Sequence, residues 1–226
     1  MPSASLWEHT LTFFPQFLRV VADECPAEAV VTVVGASDGK FVLPLASVGH
    51  RVVAIDSDQV ALNGGEVLLP HSGVTYAPGL VERLADVGLT PLVRVVCADF
   101  LDTEPADLIA DAVWTSCSWH YSANHERPLG DFVSRMQQVV RPGGVFGAEF
   151  MMPFEYRHEY VEHYTTPDRL TRYFDRHRWT VLLRLQTDTF TERAHVGRLH
   201  DHQHRMGLLI AKRHPEEEEE GGTRQR

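Results

Sequence analysis

Short apolar runs alternate with amphipathic stretches along most of the chain. Val30 to Val34 and Arg51 to Ile55 are apolar and β-branched, which predicts two strands buried on both faces. Phe41 to Val48 is compatible with a short helix between them. Further strands are predicted at 92–98, 112–115, 145–150, 179–185 and 206–212, and helices at 80–87, 128–140 and 167–176. This alternation predicts an α/β fold with a parallel sheet and helices on both faces.

The beginning and the end of the chain differ from this pattern. Ser5 to Glu24 is predicted to be helical, with Pro15 starting or kinking the main helix. It either packs on the core or forms a lid over a ligand. Residues 59–69 begin as a helix that two glycines break, and 70–79 is predicted to be a loop. The expected division is an N-terminal helical lid at 1–27, the main domain at 28–213 and an acidic disordered tail at 214–226.

Composition limits the partners and the compartment. The net charge of −10 argues against binding nucleic acid through its phosphates. Three widely separated cysteines, Cys25, Cys97 and Cys117, are typical of a reduced intracellular protein. No apolar run reaches membrane-spanning length, and no signal peptide is visible. These features predict a cytoplasmic protein that binds neither membrane nor nucleic acid, and they do not indicate an oligomeric state.

Four of the predicted strands are followed by segments that suit a nucleoside. Gly35 to Gly39 follows the first strand. Asp56 follows the second, 21 residues after Gly35, the separation at which an acid reaches the ribose of a nucleoside held over the first turn. Asp99 follows the third strand, and Ser116 to Tyr121 follows the fourth. Because ligands bind beyond the carboxyl ends of such strands, we expect an adenosine pocket there.

These segments, in this order and at this spacing, resemble the class I S-adenosylmethionine-dependent methyltransferases over about residues 28 to 213. The family's first motif is an acid, one residue, then G-x-G-x-G. Here Val33 stands in place of the acid and Ser37 in place of the second glycine. Asp56 matches the family's ribose acid and Asp99 its adenine acid, and the R-P-G-G turn at 141–144 resembles the turn before its fifth strand.

The resemblance implies a Rossmann-like methyltransferase fold, with a mostly parallel seven-stranded sheet whose last strand is antiparallel. It also implies S-adenosylmethionine as methyl donor and S-adenosylhomocysteine as product. The cofactor-binding residues expected from it are Gly35, Ala36, Ser37, Asp38, Gly39, Asp56, Ser57, Asp99, Phe100, Ser116, Cys117 and Trp119. Because Val33 cannot bind the cofactor's ammonium, we expect Asp38 or the carbonyl of Gly35 to do so. A nucleotide-dependent dehydrogenase fits less well, since its turn requires G-x-G-x-x-G where this chain has G-x-x-x-G.

The C-terminal part, from Arg169 to Arg213, is similar to the tellurite-resistance methyltransferases and, more distantly, to the thiopurine methyltransferases. The shared features are a tyrosine-bearing helix (LTRYF), a strand led by Trp179, a loop with histidine and arginine, and the ending LIAKR. Those families methylate sulfur, selenium or tellurium, which implies a soft acceptor. By this resemblance His195 and Arg198 are expected to face the acceptor and act as catalytic residues.

The acceptor side is predicted from chemistry as well as from resemblance. Methyl transfer from a sulfonium is an in-line displacement in which positioning supplies much of the acceleration, and a base is needed only for an acceptor proton that must leave. His120, just past the fourth strand, is the expected catalytic base, with Tyr121 beside it as a further catalytic residue. The alternative for His120 is a histidine hydrogen-bonded in a loop.

Aromatic residues indicate the size of the acceptor. The expected substrate-pocket residues are Trp7, Phe14, Phe154, Tyr156, Tyr160 and Tyr164. Their number favours a small or medium organic molecule in natural-product biosynthesis, with a sulfur acceptor, a thiol or disulfide of a peptide antibiotic for example, preferred. The alternatives are a methyltransferase that detoxifies thiols or metalloids, and an inactive homologue that only binds S-adenosylmethionine.

Thirteen histidines raise the question of a metal. His200, His202 and His204 alternate, so on an extended strand they would point to one side. No cysteine pair and no H-E-x-x-H motif supports a zinc site. Residues 116–121 lack the acids that metal-dependent catechol-type methyl transfer requires. We therefore expect a solvated polar strand or a substrate-facing loop, and no metal.

Overall fold

A computed structural model describes residues 4–216 of the chain. The strands are β1 (Val30–Val34), β2 (Arg51–Asp56), β3 (Gly65–Leu69), β4 (Gly73–Ala77), β5 (Val93–Cys97), β6 (Ala110–Ser116), β7 (Val140–Met151), β8 (Trp179–Gln186), β9 (Phe190–Glu192), β10 (His202–His204) and β11 (Met206–Arg213). The α-helices are α1 (Phe14–Glu24), α2 (Val42–Ser47), α3 (Gln59–Asn63), α4 (Leu80–Asp86), α5 (Leu129–Val139) and α6 (Pro167–Thr171). Short 3₁₀ helices cover Thr90–Leu92, Pro105–Leu108, Ser122–Asn124 and Tyr156–Tyr160.

Seven of the strands form one sheet in the order β5-β2-β1-β6-β7-β11-β8. Within it β11 runs antiparallel to both of its neighbours, while β1, β2, β5, β6 and β7 pair in parallel. The predicted mostly parallel seven-stranded sheet with an antiparallel last strand is therefore confirmed. The order reverses between β1 and β6, and such a switch point opens a crevice beyond the strand ends.

Helices cover both faces of the sheet and divide the apolar core into two clusters. On one face α5 and α6 pack over the sheet through Phe132, Met136 and Leu170. On the other face α1 to α4 pack around Trp114, a fully buried side chain whose ring lies 4.7 Å from that of Phe17. Each face of β1 thus contacts apolar side chains, which accounts for its apolar, β-branched sequence.

The N-terminal helix is shorter than predicted. It begins at Phe14, because Pro15 occupies its first turn, where a missing N–H costs nothing. Residues 6–9 form turns instead of a longer helix. The segment before Phe14 is therefore not helical, and it contacts the turn after β1 through Asp38 and Lys40.

Two local predictions in the middle of the chain are wrong. Residues 65–69 and 73–77, expected as helix and loop, pair as the antiparallel hairpin β3–β4. The helix α3 ends earlier because Gly64 turns the chain with a φ of +86°. The predicted R-P-G-G turn lies inside β7 as an irregularity, since Ala110 pairs with Val140 but Ala112 pairs with Val145.

The predicted acidic tail falls almost wholly outside the described residues. Only 214–216 of it belong to the described range, and they follow β11 without regular structure. Among residues 4–216, no helix combines the length and the apolar character needed to cross a bilayer.

Candidate active site

A cavity of about 810 Å³ lies beyond the carboxyl ends of β1, β2, β5 and β6. Gly35, Asp56, Asp99 and Cys117, one from each of the segments that follow those strands, line it. The four strand ends singled out from the sequence therefore converge on one site, and its size lies within the range of small-molecule pockets.

The turn after β1 is held in a conformation that favours glycine. Gly35 has a φ of +73°, and a Cβ built on it would lie 2.8 Å from the Cβ of Ser118. Ser37 also lies in the left-handed region, with a φ of +48°. Its backbone N–H donates to Asp56 Oδ2 at 2.8 Å, and its hydroxyl accepts from the indole N–H of Trp7 at 3.0 Å. These two hydrogen bonds offset the backbone strain at Ser37.

The nucleoside wall of the cavity, Asp56, Ser57, Asp99 and Phe100, combines acids with an apolar surface. Each carboxylate oxygen of Asp56 accepts one backbone N–H, from Ser37 and from Asp58, and burial raises the pKa of this carboxyl. Each oxygen has a second lone pair for a further donor. Phe100 packs 5.3 Å from Phe132, which also lines the cavity. The wall can therefore accept ribose hydroxyls and cover a planar base.

Three expected cofactor residues do not line the cavity. The carboxylate of Asp38 instead accepts from the hydroxyl of Ser5 and the N–H of Leu6, both at 2.7 Å, and lies 3.4 Å from Arg83. Gly39 has a φ of +93°, a backbone conformation that favours glycine, and a Cβ there would also lie 2.5 Å from Leu43 and 2.6 Å from Leu80. Trp119 is fully buried against Phe132 and Phe150. The carbonyl of Gly35, the other candidate for the ammonium, belongs to a residue that does line the cavity.

Residues 5–13, called the strap here, contribute Trp7, Thr10 and Leu11 to the lining of the cavity. Four polar side chains from three separate parts of the fold, namely the turn after β1, β7 and β9, fasten it. Asp38 binds its start, and Lys40 donates to the hydroxyl of Thr10 at 2.6 Å and to its carbonyl at 3.0 Å. Glu149 accepts from the Thr12 hydroxyl and the Phe13 N–H at 2.7 Å, and Glu192 accepts from the Leu11 N–H at 3.3 Å.

Of the two expected pocket residues at the N-terminus, one faces the cavity. Trp7 lines it and lies 4.9 Å from the ring of His195. Phe14 is buried at the start of α1 between Phe41 and Trp114, so its assignment to the substrate pocket is wrong. Trp7 therefore links the turn at Ser37 with the segment that contains His195.

His120 and Tyr121 line the cavity next to Cys117. The Nδ1 of His120 bonds the carbonyl oxygen of Cys117, which can only accept, so Nδ1 carries the proton and Nε2 holds a lone pair. Burial lowers the pKa of His120 to about 4, and partial burial raises the pKa of Tyr121, whose side chain stays about half exposed. At neutral pH both rings are uncharged, and His120 is a weak base.

The aromatic segment after β7 contributes less to the cavity than expected. Tyr164 lines it, but Phe154 packs on His158 at 4.7 Å outside it. Tyr156 and Tyr160 are 76% and 70% exposed and hydrogen-bond each other. The 3₁₀ helix Tyr156–Tyr160 turns these side chains away, and their assignment to the pocket is wrong.

The histidine wall of the cavity, Glu192, His195, His202 and His204, brings four ligand-type side chains together. One ligand atom from each lies within 4.8 Å of all the others. Arg198 lines the cavity beside them, whereas the exposed His200 points elsewhere and contributes its backbone carbonyl to His202. The antiparallel pairing of β9 with β10 places Glu192 opposite His202.

Sequence reasoning missed three acidic or basic residues of the site. Lys40, Glu149 and Glu192 contact the strap, and Lys40 and Glu192 also line the cavity. Burial raises the pKa of Glu149, which stands where β7 ends. An acid in the last positions of an otherwise apolar strand, GVFGAEF, was the available signal for Glu149. Glu192 had none, because its neighbours come together only when β9 pairs with β10.

The fold is the Rossmann-like fold of the class I methyltransferases. Residues 33–148, just over half of the chain, match the family model described as "Methyltransferase domain". The chain belongs to this family and is an S-adenosylmethionine-dependent methyltransferase. Comparison with curated proteins gives no significant match.

Solved structures share the fold at low sequence identity. A putative rRNA-methylase from Clostridium thermocellum has 14% identity and a TM-score of 0.57, with 90% of this chain and 98% of that one covered. TehB from Haemophilus influenzae has 10% identity and a TM-score of 0.61, with 91% and 64% covered. A structure described as "Conversion of a Disulfide Bond into a Thioacetal Group during Echinomycin Biosynthesis" has 16% identity and a TM-score of 0.58, with 90% and 82% covered.

Proposed function

We propose that this methyltransferase transfers the methyl group of S-adenosylmethionine to the sulfur of a small or medium natural product. The observation that carries the choice of sulfur is the state of His120. With a pKa of about 4 it cannot efficiently take a proton from a hydroxyl or an ammonium group. A thiol needs no such base, because a few per cent is already thiolate near pH 7 and is strongly nucleophilic.

The nucleoside wall supplies the donor set that S-adenosylmethionine needs. We assign Asp56 to the ribose, Asp99 to the exocyclic amine of adenine, and Ser57, Phe100, Ser116 and Cys117 to the surroundings of the nucleoside. The turn at Gly35, Ala36 and Ser37 is assigned to the amino-acid end, where the Gly35 carbonyl receives the ammonium. When bound, the cofactor supplies an electrophilic methyl group. The protein's own task is to exclude water and to hold the acceptor in line, which can supply much of the acceleration.

The acceptor is assigned to the side where the strap, Tyr164 and the histidine wall meet. The Nε2 lone pair of His120 can accept a hydrogen bond from an acceptor thiol, and the phenol of Tyr121 stays a donor at neutral pH. Arg198 adds positive charge to the same wall. We assign to the strap the role of a lid, since Trp7, Thr10 and Leu11 line the cavity and four side chains hold the segment in place. The resemblance to tellurite-resistance enzymes and the echinomycin-related fold neighbour agree with a soft acceptor.

An RNA acceptor is the main competing proposal, because some fold neighbours are described as RNA methylases. The net charge of −10 and the strap residues that line the cavity favour a small acceptor instead. Detoxification of thiols or metalloids would use the same site and differ only in the acceptor.

The test compares acceptors that share one skeleton. We expect S-adenosylhomocysteine release from an aryl thiol to exceed that from the matching phenol and aniline by at least about 100-fold in kcat/KM, with an RNA oligomer inactive. His120→Ala is expected to raise the KM for the thiol and to leave S-adenosylmethionine affinity unchanged. Faster methylation of the phenol, the aniline or the RNA would overturn the proposal, as would full thiol turnover by His120→Ala at low thiol concentration.

A further inference from the structure

The three histidine rings of the histidine wall converge on one oxygen atom of its fourth member, Glu192. Glu192 Oε2 lies 3.0 Å from the Nε2 of His204, 3.4 Å from that of His195 and 3.8 Å from that of His202. The cluster is largely shielded from solvent, with His204 only 8% exposed. The other oxygen of Glu192 accepts the N–H of Leu11 in the strap, which fixes the carboxylate with Oε2 toward the three rings.

Backbone carbonyls determine which nitrogen of two rings is free. His195 Nδ1 lies 2.7 Å from the carbonyl of Val196, and His202 Nδ1 lies 2.9 Å from that of His200. Because a carbonyl only accepts, both Nδ1 atoms carry hydrogen, and in the neutral rings both Nε2 atoms present lone pairs to Glu192. A hydrogen bond from the other ring nitrogen to a backbone carbonyl is the usual support of a metal-ligating histidine.

Hydrogen bonds within the cluster do not satisfy the Nε2 atoms of His195 and His202. Lone pairs of His195 and His202 face a carboxylate oxygen, which is itself an acceptor. The Nε2 of His202 is buried and has no hydrogen-bond partner among the described residues. A cation placed between the rings and the carboxylate would satisfy all of them at once, since each group would then give it a lone pair.

The donor set indicates which class of ion fits. Three imidazoles and one carboxylate suit zinc, iron and similar divalent transition metals, whereas magnesium and calcium prefer oxygen ligands. A tetrahedral ion bound at ~2.0–2.1 Å separates its ligand atoms by about 3.4 Å. The observed ligand atoms, all within 4.8 Å of one another, need only a small contraction to reach that arrangement.

We infer that the histidine wall binds one divalent transition-metal ion, of which Zn²⁺ is the representative, at the side of the cavity assigned to the acceptor. This replaces the expectation of a metal-free site. All four residues line the cavity, so an ion that expands to five-coordination, as catalytic zinc sometimes does, can receive its fifth ligand from the cavity. Trp7, whose ring lies 4.9 Å from that of His195 and whose indole N–H donates to Ser37, connects this ion site to the turn after β1.

The role assigned to the ion is to bind the acceptor's sulfur, and this role rests on the proposed function. The acceptor thiol releases its proton to water as the metal–sulfur bond forms, so that it reacts as a thiolate although His120 is a weak base. A sulfur lone pair then forms the bond to the methyl carbon, the bond from that carbon to the sulfonium breaks, and its electron pair stays on the departing S-adenosylhomocysteine. The product is a neutral thioether, and the step needs no oxidant or reductant because one carbon–sulfur bond replaces another.

The first experiment measures metal binding alone. Protein freed of metal with a chelator is titrated with Co²⁺, whose visible absorption reports coordination, and with Zn²⁺ in competition. We expect one ion per chain, and a dissociation constant at least about 100-fold higher in Glu192→Gln and in His204→Ala. His200→Ala is the matched control, because that ring is exposed in the same segment and outside the cluster; its affinity should equal the wild-type value. Equal affinities of wild type and both cluster variants, measured on protein that retains its circular dichroism, would overturn the site.

The second experiment separates the ion site from the proposed function. S-Adenosylmethionine affinity is measured calorimetrically on metal-free and Zn²⁺-loaded protein, and thiol methylation is measured on both. We expect cofactor affinity to agree within about twofold and thiol turnover to fall at least about 100-fold without metal. Metal binding without any cofactor binding would leave the site standing and overturn the proposed function. Tight metal binding with unchanged thiol turnover in metal-free protein would overturn the assigned role.

Discussion

The nucleoside wall and the histidine wall of the same cavity are assembled from the chain in different ways. At the nucleoside wall, Asp56 and Asp99 come directly after parallel strands, and their positions follow from the sheet. At the histidine wall, Glu192 and His204 come from a small separate hairpin, and the strap fastens Glu192 from the other end of the chain. The first wall is therefore fixed by local sequence order, and the second by long-range pairing.

The difference shows how one fold keeps its cofactor and changes its acceptor. Under the proposed assignment, the acids at the ends of β2 and β5 must be kept for the nucleoside to bind. The β9–β10 hairpin pairs only with itself, outside the seven-stranded sheet, so it can change its side chains with little effect on the core. Because the two walls are assembled separately, we expect substitutions in one wall to leave ligand binding at the other unchanged.

The largest expected effect is that of Asp56→Asn on cofactor affinity. Asparagine places an amide N–H₂ where one carboxylate oxygen now accepts a backbone N–H, and it weakens the acceptor offered to the ribose. Two charge-assisted hydrogen bonds are affected, and we expect about a 100-fold rise in the dissociation constant of S-adenosylmethionine by calorimetry. Asp102→Asn, an exposed acid paired with Arg127, is the control and should leave it unchanged. Metal affinity should not change in either variant, and a parallel loss of both affinities would refute the independence of the walls.

The nucleoside wall was readable from the sequence because its signals are local. The spacing from Gly35 to Asp56 and the acid after the third strand reflect the repeat of strand, helix and strand, and the structure brings both acids to the cavity. Position in the turn was not sufficient for Asp38. Ser37 lines the cavity, but the carboxylate of the next residue, Asp38, is directed to the strap and to Arg83. The sequence was not sufficient for Trp119 either, because nothing in SCSWHY distinguishes a core ring from a cavity ring.

The histidine wall could be predicted only in part. The alternation of His202 and His204 does place both rings on one side, as expected for a strand. His200 lies before the strand begins and leaves the cluster, and the arrival of Glu192 and His195 depends on how two loop segments pair. The aromatic residues at 154–160 had no periodicity that could separate exposed rings from pocket rings. Pairing between segments distant in sequence leaves no pattern in either segment alone.

The second effect in size is the pH dependence of stability that His120 causes. Its pKa in the folded protein is about 4, below the ordinary 6.5, so the unfolded chain binds a proton that the folded chain does not. The stability that the lowered pKa of His120 contributes is therefore fully present above about pH 6.5. It is lost as the pH falls from 6.5 toward 4. Between pH 7.5 and 5 we expect His120 to account for a loss of about 2 kcal/mol in the free energy of unfolding.

His120→Asn isolates this contribution, because asparagine keeps a donor for the Cys117 carbonyl and does not titrate. Urea unfolding at pH 7.5 and pH 5 should show a pH loss smaller than that of wild type by that amount. The other buried histidines remain in both proteins and cancel in the comparison. Identical pH losses in the two proteins would mean that His120 is solvated and able to serve as a general base, which would also remove the argument for a sulfur acceptor.

A smaller effect is expected from Trp7→Phe, which tests the contact between the walls. Phenylalanine keeps a ring beside His195 and removes the indole N–H that donates to Ser37. The loss of one hydrogen bond of about 1 kcal/mol should raise the dissociation constant of S-adenosylmethionine about fivefold. Glu8→Gln, in the next position of the strap, is the control and should have no effect. If Trp7→Phe also changed metal affinity, the strap would couple the two walls.

The smallest effect concerns the left-handed Ser37, and it requires two backgrounds to be seen. Ser37→Gly relieves a φ of +48° but removes the hydroxyl that accepts from Trp7, so the two changes oppose each other and stability should stay nearly constant. In the Trp7→Phe background that hydrogen bond is already absent, and Ser37→Gly should then stabilise the protein by about 0.5–1 kcal/mol in urea unfolding. Equal effects in both backgrounds would show that Trp7 and Ser37 do not interact. The strap would then be fastened by Asp38, Lys40, Glu149 and Glu192 alone, and the turn after β1 would hold its conformation through Asp56 without help from the histidine wall.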